Sequence, residues 1–224
     1  MKNNIKLFLV ISICIYTGFI QTDKEQLALE VSKVDAENIE KLKKYIWKMH
    51  SVVSGEGGNK TTLVSEFKFD QKGELSITVV DGKTNIDRKA GIRGKVQQNA
   101  MQSKLEYVSN AMKYSLAYTY MTKGQLLDFF EKADVYESNG IIKVFGKNVI
   151  VNGDELTIFI DAKTKFFIRK SFSTKMGSDP IKWEVLYEIF QSSGINHISK
   201  SKLELPTERI TIEGENKDYT VRVD

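Results

Sequence analysis

From Ile141 to Asp224 the chain reads as a series of β-strands joined by tight turns, and this array constrains the fold more than any other feature. Its clearest member is Ile181–Ile189. There Ile181, Trp183, Val185, Tyr187 and Ile189 fall on one face and Lys182, Glu184 and Glu188 on the other, with Leu186 the one exception. Side chains alternate across a strand, so the pattern describes an antiparallel sheet with a dry side and a wet side. Asn139-Gly140 and Asn152-Gly153 carry the signature of two-residue hairpins, whose central residues need positive φ. Asp161-Ala162-Lys163-Thr164 reads as a looser turn. Gly177-Ser178-Asp179-Pro180 and Ser193-Gly194 bound the Trp183 strand, and two short strands, Arg209–Ile212 and Tyr219–Val223, close the series.

The preceding half mixes helix and strand. A first helix is expected over Asp35–Lys44, with Asp35 as its cap, Ile39 and Leu42 as its apolar edge, and Lys41, Lys43 and Lys44 at the negative end of its dipole. Three strands follow: one with Tyr45, Trp47, Met49 and Val53 on one face, one with Leu63, Ser65, Phe67 and Phe69, and one with Leu75, Ile77 and Val79. A long helix is expected over Lys95–Met121. Met101, Leu105, Val108, Met112 and Leu116 form one apolar stripe on it, and Tyr107, Ala111, Tyr114, Tyr118 and Met121 an adjoining one. An arc that broad implies a helix buried on two sides or covering a cavity. Thr122 and Gln125 have the spacing of a capping box and restart a further helix through Leu126, Leu127, Phe129 and Phe130. The fold class expected is α+β: a strongly bent antiparallel sheet, an incomplete barrel, enclosing or lidded by a long helix and shorter ones.

The first residues have the grammar of an export signal. Lys2 and Lys6 precede an apolar run, Leu7–Tyr16, that fades by Gln21, and Asp23-Lys24-Glu25 opens a charged chain. The run is shorter than the roughly 20 apolar residues of a membrane span. Residues 1–22 are therefore read as a signal peptide, cut between Gly18 and Thr22, and 23–224 as a single exported, periplasmic domain. An uncleaved anchor is the alternative. The sole cysteine, Cys14, follows Ile13 rather than a small residue and is read as part of the apolar run, leaving the mature chain without disulfide or thiolate chemistry. Removal of Lys2 and Lys6 lowers the net charge from +4 to +2. So even a balance does not describe a nucleic-acid partner, which requires a concentrated basic face.

Few residues carry recognisable chemistry. His50 and His197 are read as solvent-facing strand histidines, and no Cys or His spacing describes a zinc site. Gly-x-Ser-x-Gly is absent. Glu184 and Glu188 read as a solvated outer face, and Asp154-Glu155 as a hairpin tip. No catalytic residue and no cofactor are expected. Arg88, Lys89, Arg93 and Lys95, interleaved with Gly91 and Gly94 before the long helix, form the one basic segment that calls for an anionic partner. Cations oppose the dipole at a helix start, and glycines let backbone N–H groups approach an anion. An exposed loop paired with Asp81 or Asp87 is the alternative.

The order helix, strands, helical insert and long antiparallel array resembles the lipoprotein-carrier fold of bacterial envelopes, typified by LolA and LolB. The local match is Leu156–Pro206: the Asp161-x-x-Thr164 step into Phe166–Ile168, Gly177-Ser178-Asp179-Pro180-Ile181, the Tyr187 strand, Gly194, and a strand ending at Leu205-Pro206. Tyr45-Ile46-Trp47 and Gly91-Ile92-Arg93-Gly94-Lys95 are similar to exported bacterial proteins of this presumed fold. The resemblance implies a non-enzymatic binder of lipid or lipoprotein acyl chains, with an envelope membrane protein as a docking partner. The groove would be lined by Trp47, Phe67, Tyr107, Tyr114, Tyr118, Trp183 and Tyr187, and Arg88, Lys89, Arg93 and Lys95 would hold a headgroup or partner. The alternative is an envelope sensor or interaction module with the same fold and a filled core. The family's cavity arginine, which holds the lid shut, has no evident counterpart in the sequence.

Overall fold

In a computed structural model, residues 23–55, 60–70, 73–84, 92–190 and 193–222 are described; at 83–84, 92–102 and 105 the backbone alone is. Among the described residues ten strands form one antiparallel sheet. They are β1 (Tyr45–Ser54), β2 (Lys60–Phe69), β3 (Leu75–Thr84), β4 (Asp134–Ser138), β5 (Ile141–Lys147), β6 (Glu155–Asp161), β7 (Phe167–Met176), β8 (Asp179–Phe190), β9 (Ile195–Leu205) and β10 (Ile210–Val221). Their order is β3-β2-β1-β10-β9-β8-β7-β6-β5-β4, so every neighbour is consecutive in sequence except the pair β1–β10. The sheet does not close: among the described residues β3 and β4 are its two margins. Helix α1 (Lys24–Leu42) precedes the sheet. Helices α2 (Ile92–Thr119) and α3 (Lys123–Lys132) lie between β3 and β4 in sequence, so this insert connects one margin to the other. The expected α+β class, an incomplete barrel with helices, is what the chain forms.

The alternation read from β8 holds where the sheet is regular. Ile181, Trp183 and Val185 are buried, whereas Lys182 and Leu186 are exposed. It ends at a bulge, where Leu186 pairs with Lys200 but Tyr187 with Ile198. Beyond the bulge Ile189 is 51% exposed, and the five residues Ile195–Ser199 are all buried, so β9 is covered on both faces there.

Several expected boundaries move. The first helix starts at Lys24, not Asp35, with the Asp23 side chain accepting from the Glu25 and Gln26 N–H groups. Asp35 is thus a mid-helix residue on a helix whose buried side is Leu27, Ala28, Val31, Ser32, Asn38 and Leu42. The long helix runs Ile92–Thr119, which places Arg93 and Lys95 in its first turn. The Thr122–Gln125 capping box forms as expected, as does the Asn139-Gly140 turn, with φ of 53° and 75°. Asn152-Gly153 does not make a two-residue hairpin. β5 and β6 are joined through Asn148–Asp154, and Asp154 is 1% exposed rather than a tip. Val223 lies outside the described residues, and the two strands expected over Arg209–Ile212 and Tyr219–Val223 are parts of one, β10, which runs Ile210–Val221. The polar stretch at its middle looks like a turn, yet a Cβ on Gly214 would lie 2.7 Å from Ser201 Oγ and 3.0 Å from Met49 Sδ. This glycine serves close packing between β1 and β9, not a change of direction.

Candidate functional site

The dry face carries two apolar clusters. The larger joins all three helices to β5–β10 around Phe130, Tyr118, Ile158, Val185 and Leu203. The smaller belongs to the hairpins β1–β3: Trp47, Met49, Phe67 and Phe69 with Leu42 of α1 and Ile195 of β9. Met112 of α2 and Tyr120, just past its end, pack against both.

In the smaller cluster β1 and β2 set Trp47 opposite Phe67, because the register pairs these two residues directly. Their rings stack at 5.8 Å, and Tyr219 stacks on Trp47 at 6.1 Å. Cover then thins toward the margin. Trp47 is 1% and Phe67 4% exposed, Ile77 is half-buried, and Val79, paired with Ser65, is 62% exposed. Leu63, further along β2 on the same face and opposite Gly82, is also half-buried. The apolar row therefore continues past what the helices cover.

A polar seam runs where the clusters meet. The Tyr120 hydroxyl lies 2.7 Å from His197 Nε2, and the Tyr219 hydroxyl 2.7 Å from Nδ1. His197 is 2% exposed, which corrects the solvent-facing assignment. Burial pushes its pKa down to about 3, so the ring is neutral, one nitrogen donating and the other accepting. On β7, Lys170 is 1% exposed and its Nζ donates to the Thr119 carbonyl at the end of α2, 2.8 Å away. The ammonium also sits 3.8 Å from the centre of the Phe167 ring. Burial pulls Lys170 down to about 8, against the opposing charge of Asp35, and burial raises Asp35 in turn. Asn38 of α1 accepts from the Asn196 N–H, and Asn196 Nδ2 donates to the Phe167 carbonyl.

A second tie holds the same end of α2 over the larger cluster. Tyr118 stacks on Phe172 at 4.1 Å and donates its hydroxyl to Asp154 Oδ2 at 2.6 Å. Asp154 also accepts from the N–H groups of Val149, Ile150 and Val151. Burial alone would raise this carboxyl, but the Tyr118 hydroxyl and the three N–H groups outweigh it, and it sits below the usual range.

The expected lining residues do not share one surface. Trp47 and Phe67 belong to the smaller cluster, Tyr118 and Trp183 are buried in the larger, and Tyr107, Tyr114 and Tyr187 are half-buried against the larger. Arg88 and Lys89 lie outside the described residues, as does the 1–22 segment, and at Arg93 and Lys95 only the helical backbone is described. Lys170 escaped the reading, although it stands in register with inward-facing Phe172 and Thr174 on an alternating strand. No such signal marks His197, whose burial depends on the bulge. The wet face holds two shallow grooves that meet at Glu184 and Lys202. Acids and lysines interleave there, as in Lys202–Glu204 along β9 at 2.6 Å, with Arg169 of β7 reaching Glu184 at 3.4 Å, and this charge pairing suits solvation rather than an apolar ligand. Among the described residues no group of three or more His, Cys, Asp or Glu could hold a metal ion, and no helix is long and apolar enough to cross a membrane.

No family model and no curated protein matches the chain. Similar solved structures include a DUF1329 family protein from Desulfovibrio piger, 11% identical over 89% of this chain and 92% of that one, with a TM-score of 0.41. A LolA superfamily protein from Nitrosomonas europaea is 7% identical over 85% and 94%, with a TM-score of 0.33. A domain from Vibrio parahaemolyticus, named for outer membrane lipoprotein sorting, is 8% identical over 88% and 94%, with a TM-score of 0.38. Two of these names are of the lipoprotein-carrier kind that the sequence resembles. At such identities, and with TM-scores below 0.5, the likeness carries nothing about ligand, activity or compartment.

Proposed function

We propose that this chain is a non-enzymatic, exported binder of a hydrophobic ligand, an acyl chain of a lipid or lipoprotein, held on the dry face beside β1–β3. One observation supports this above the others: Trp47, Phe67 and Ile77 form an apolar row across β1–β3, and beside Ile77 on the same face Val79 is 62% exposed. An acyl chain laid along that row gains about 0.8 kcal/mol per buried CH₂. Trp47 and Phe67 form the inner wall. Tyr107, Tyr114, Tyr118, Trp183 and Tyr187 pack on the other cluster and meet the ligand only if α2 is displaced. The basic run Arg88, Lys89, Arg93 and Lys95 at the start of α2 receives the headgroup or a membrane partner. Residues 23–224 act as one unit behind a cleaved 1–22 export segment.

Native mass spectrometry of the protein, expressed through its own N-terminus and purified without detergent, tests the reading. A stoichiometric lipid or lipopeptide adduct is expected, removed by organic extraction and restored when lipid is offered. A mass that stays free of adduct under both conditions contradicts it. That outcome favours the second reading, an interaction module with a filled core, which the close packing of both clusters supports.

A further inference from the structure

The two margins of the sheet are built differently. β4 has five residues, with Asp134 and Glu137 exposed on it, and short charged edges are a common defence against unwanted pairing. β3 has ten, and its first five, Leu75–Val79, carry neither charge nor proline. Val80 is the extra residue of a bulge, since Val64 pairs with Asp81 and Ser65 with Val79. Leu75–Val79 is therefore a regular run, with Leu75, Ile77 and Val79 on the dry face and Ser76 and Thr78 on the wet one. Half of its backbone N–H and C=O groups point away from β2, and among the described residues no strand pairs with that side. An extended chain is the partner whose groups match them.

We propose that a second copy of this chain fills that edge, its β3 pairing antiparallel with this one about a two-fold axis through Ile77. A two-fold interface must be self-complementary, and this run is. Centred on Ile77, the register sets Leu75 of one copy opposite Val79 of the other and Ile77 opposite itself, all on the dry side. Ser76 falls opposite Thr78 on the wet side, and no charge meets its like. Moving the centre one residue on, to Thr78, would bring Ser76 opposite the bulged Val80 and waste part of the run. The Ile77 register uses all five residues and joins the dry faces of the two copies side by side, so that the apolar surface at Val79 runs on into Leu75 of the second copy.

Directly opposed residues of an antiparallel pair lie about 4.5–5.5 Å apart at Cα, within disulfide range. Cys14 is the only cysteine, so in a Cys14→Ser background each introduced thiol stands alone. Under mild oxidation Ile77→Cys should cross-link to itself. Leu75→Cys and Val79→Cys should each stay free of a cross-link alone but cross-link when mixed. Analytical ultracentrifugation of the unmodified protein should give twice the chain mass, falling to the single mass in Val79→Lys with an unchanged circular dichroism spectrum. If Val79→Lys does not fold, the cysteine pattern decides. Sedimentation at the single mass up to the solubility limit would overturn the proposal, and so would a dimer whose cross-links ignore this register.

Discussion

The two clusters on the dry face bury similar residues by different means. The larger is covered by α1, α2 and α3 across β5–β10 and held by buried polar ties at Tyr118–Asp154 and Lys170–Thr119. The smaller is a stack of rings around Trp47 whose cover fades along β2 and β3. A list of inward aromatics treats them alike. What separates a core from a binding surface here is where the cover ends, and that depends on the placement of helices far away in sequence.

The largest effect that would sharpen this contrast is on stability. Phe130→Ala, at a fully buried position, should cost about 3–5 kcal/mol in chemical denaturation, whereas Ile77→Ala, half-buried, should cost less than half as much. Equal costs would break the distinction. Lys170 gives the next effect, read against pH. Its folded pKa is depressed to about 8, so between that value and the unfolded pKa near 10.5 the unfolded chain binds more protons, and stability rises with pH. Relative to Lys170→Met, the wild type should gain about 3 kcal/mol across that window. A flat difference would show that the amine is not buried in solution. Tyr118→Phe removes a hydrogen bond to a charged acceptor and should cost about 1.5–3 kcal/mol at neutral pH. Because the Asp154 carboxyl is held below its unfolded value, its contribution is present above about pH 4 and fades as pH falls through the folded value. The loss seen in Tyr118→Phe should shrink on acidification. The smallest effect is at the margin: at dilutions where the chain sediments at the single mass, Val79→Ser should change stability by under about 0.5 kcal/mol, since its side chain is then mostly exposed.

Much of the sheet was legible because period-two alternation is a local property, and Trp47, Phe67, Ile181, Trp183 and Val185 all face as the pattern directs. The first eleven residues of α1, Lys24–Val34, were not. Ser32 and Asn38 interrupt its inner face, and Asn38 earns its place only through Asn196, distant in sequence. The single strand β10 was obscured by Gly214, whose reason is a neighbour's side chain rather than a turn. The polar seam was the least legible. His197 and Asp154 are buried by a bulge and by a loop closing on α2, and neither leaves a periodic trace. The candidate site was read as one groove because sequence gives the facing of each aromatic but not which cluster receives it.

Fluorescence quenching by acyl chains brominated near their methyl end addresses the central claim most directly, because the two tryptophans report on the two clusters separately. In Trp183→Phe, which leaves Trp47, a bound brominated chain should strongly quench emission. In Trp47→Phe, which leaves Trp183 behind the closed helices, emission should be nearly unchanged. Quenching of Trp183 equal to that of Trp47, or of neither when a lipid adduct is present, would contradict a ligand site at the β1–β3 margin.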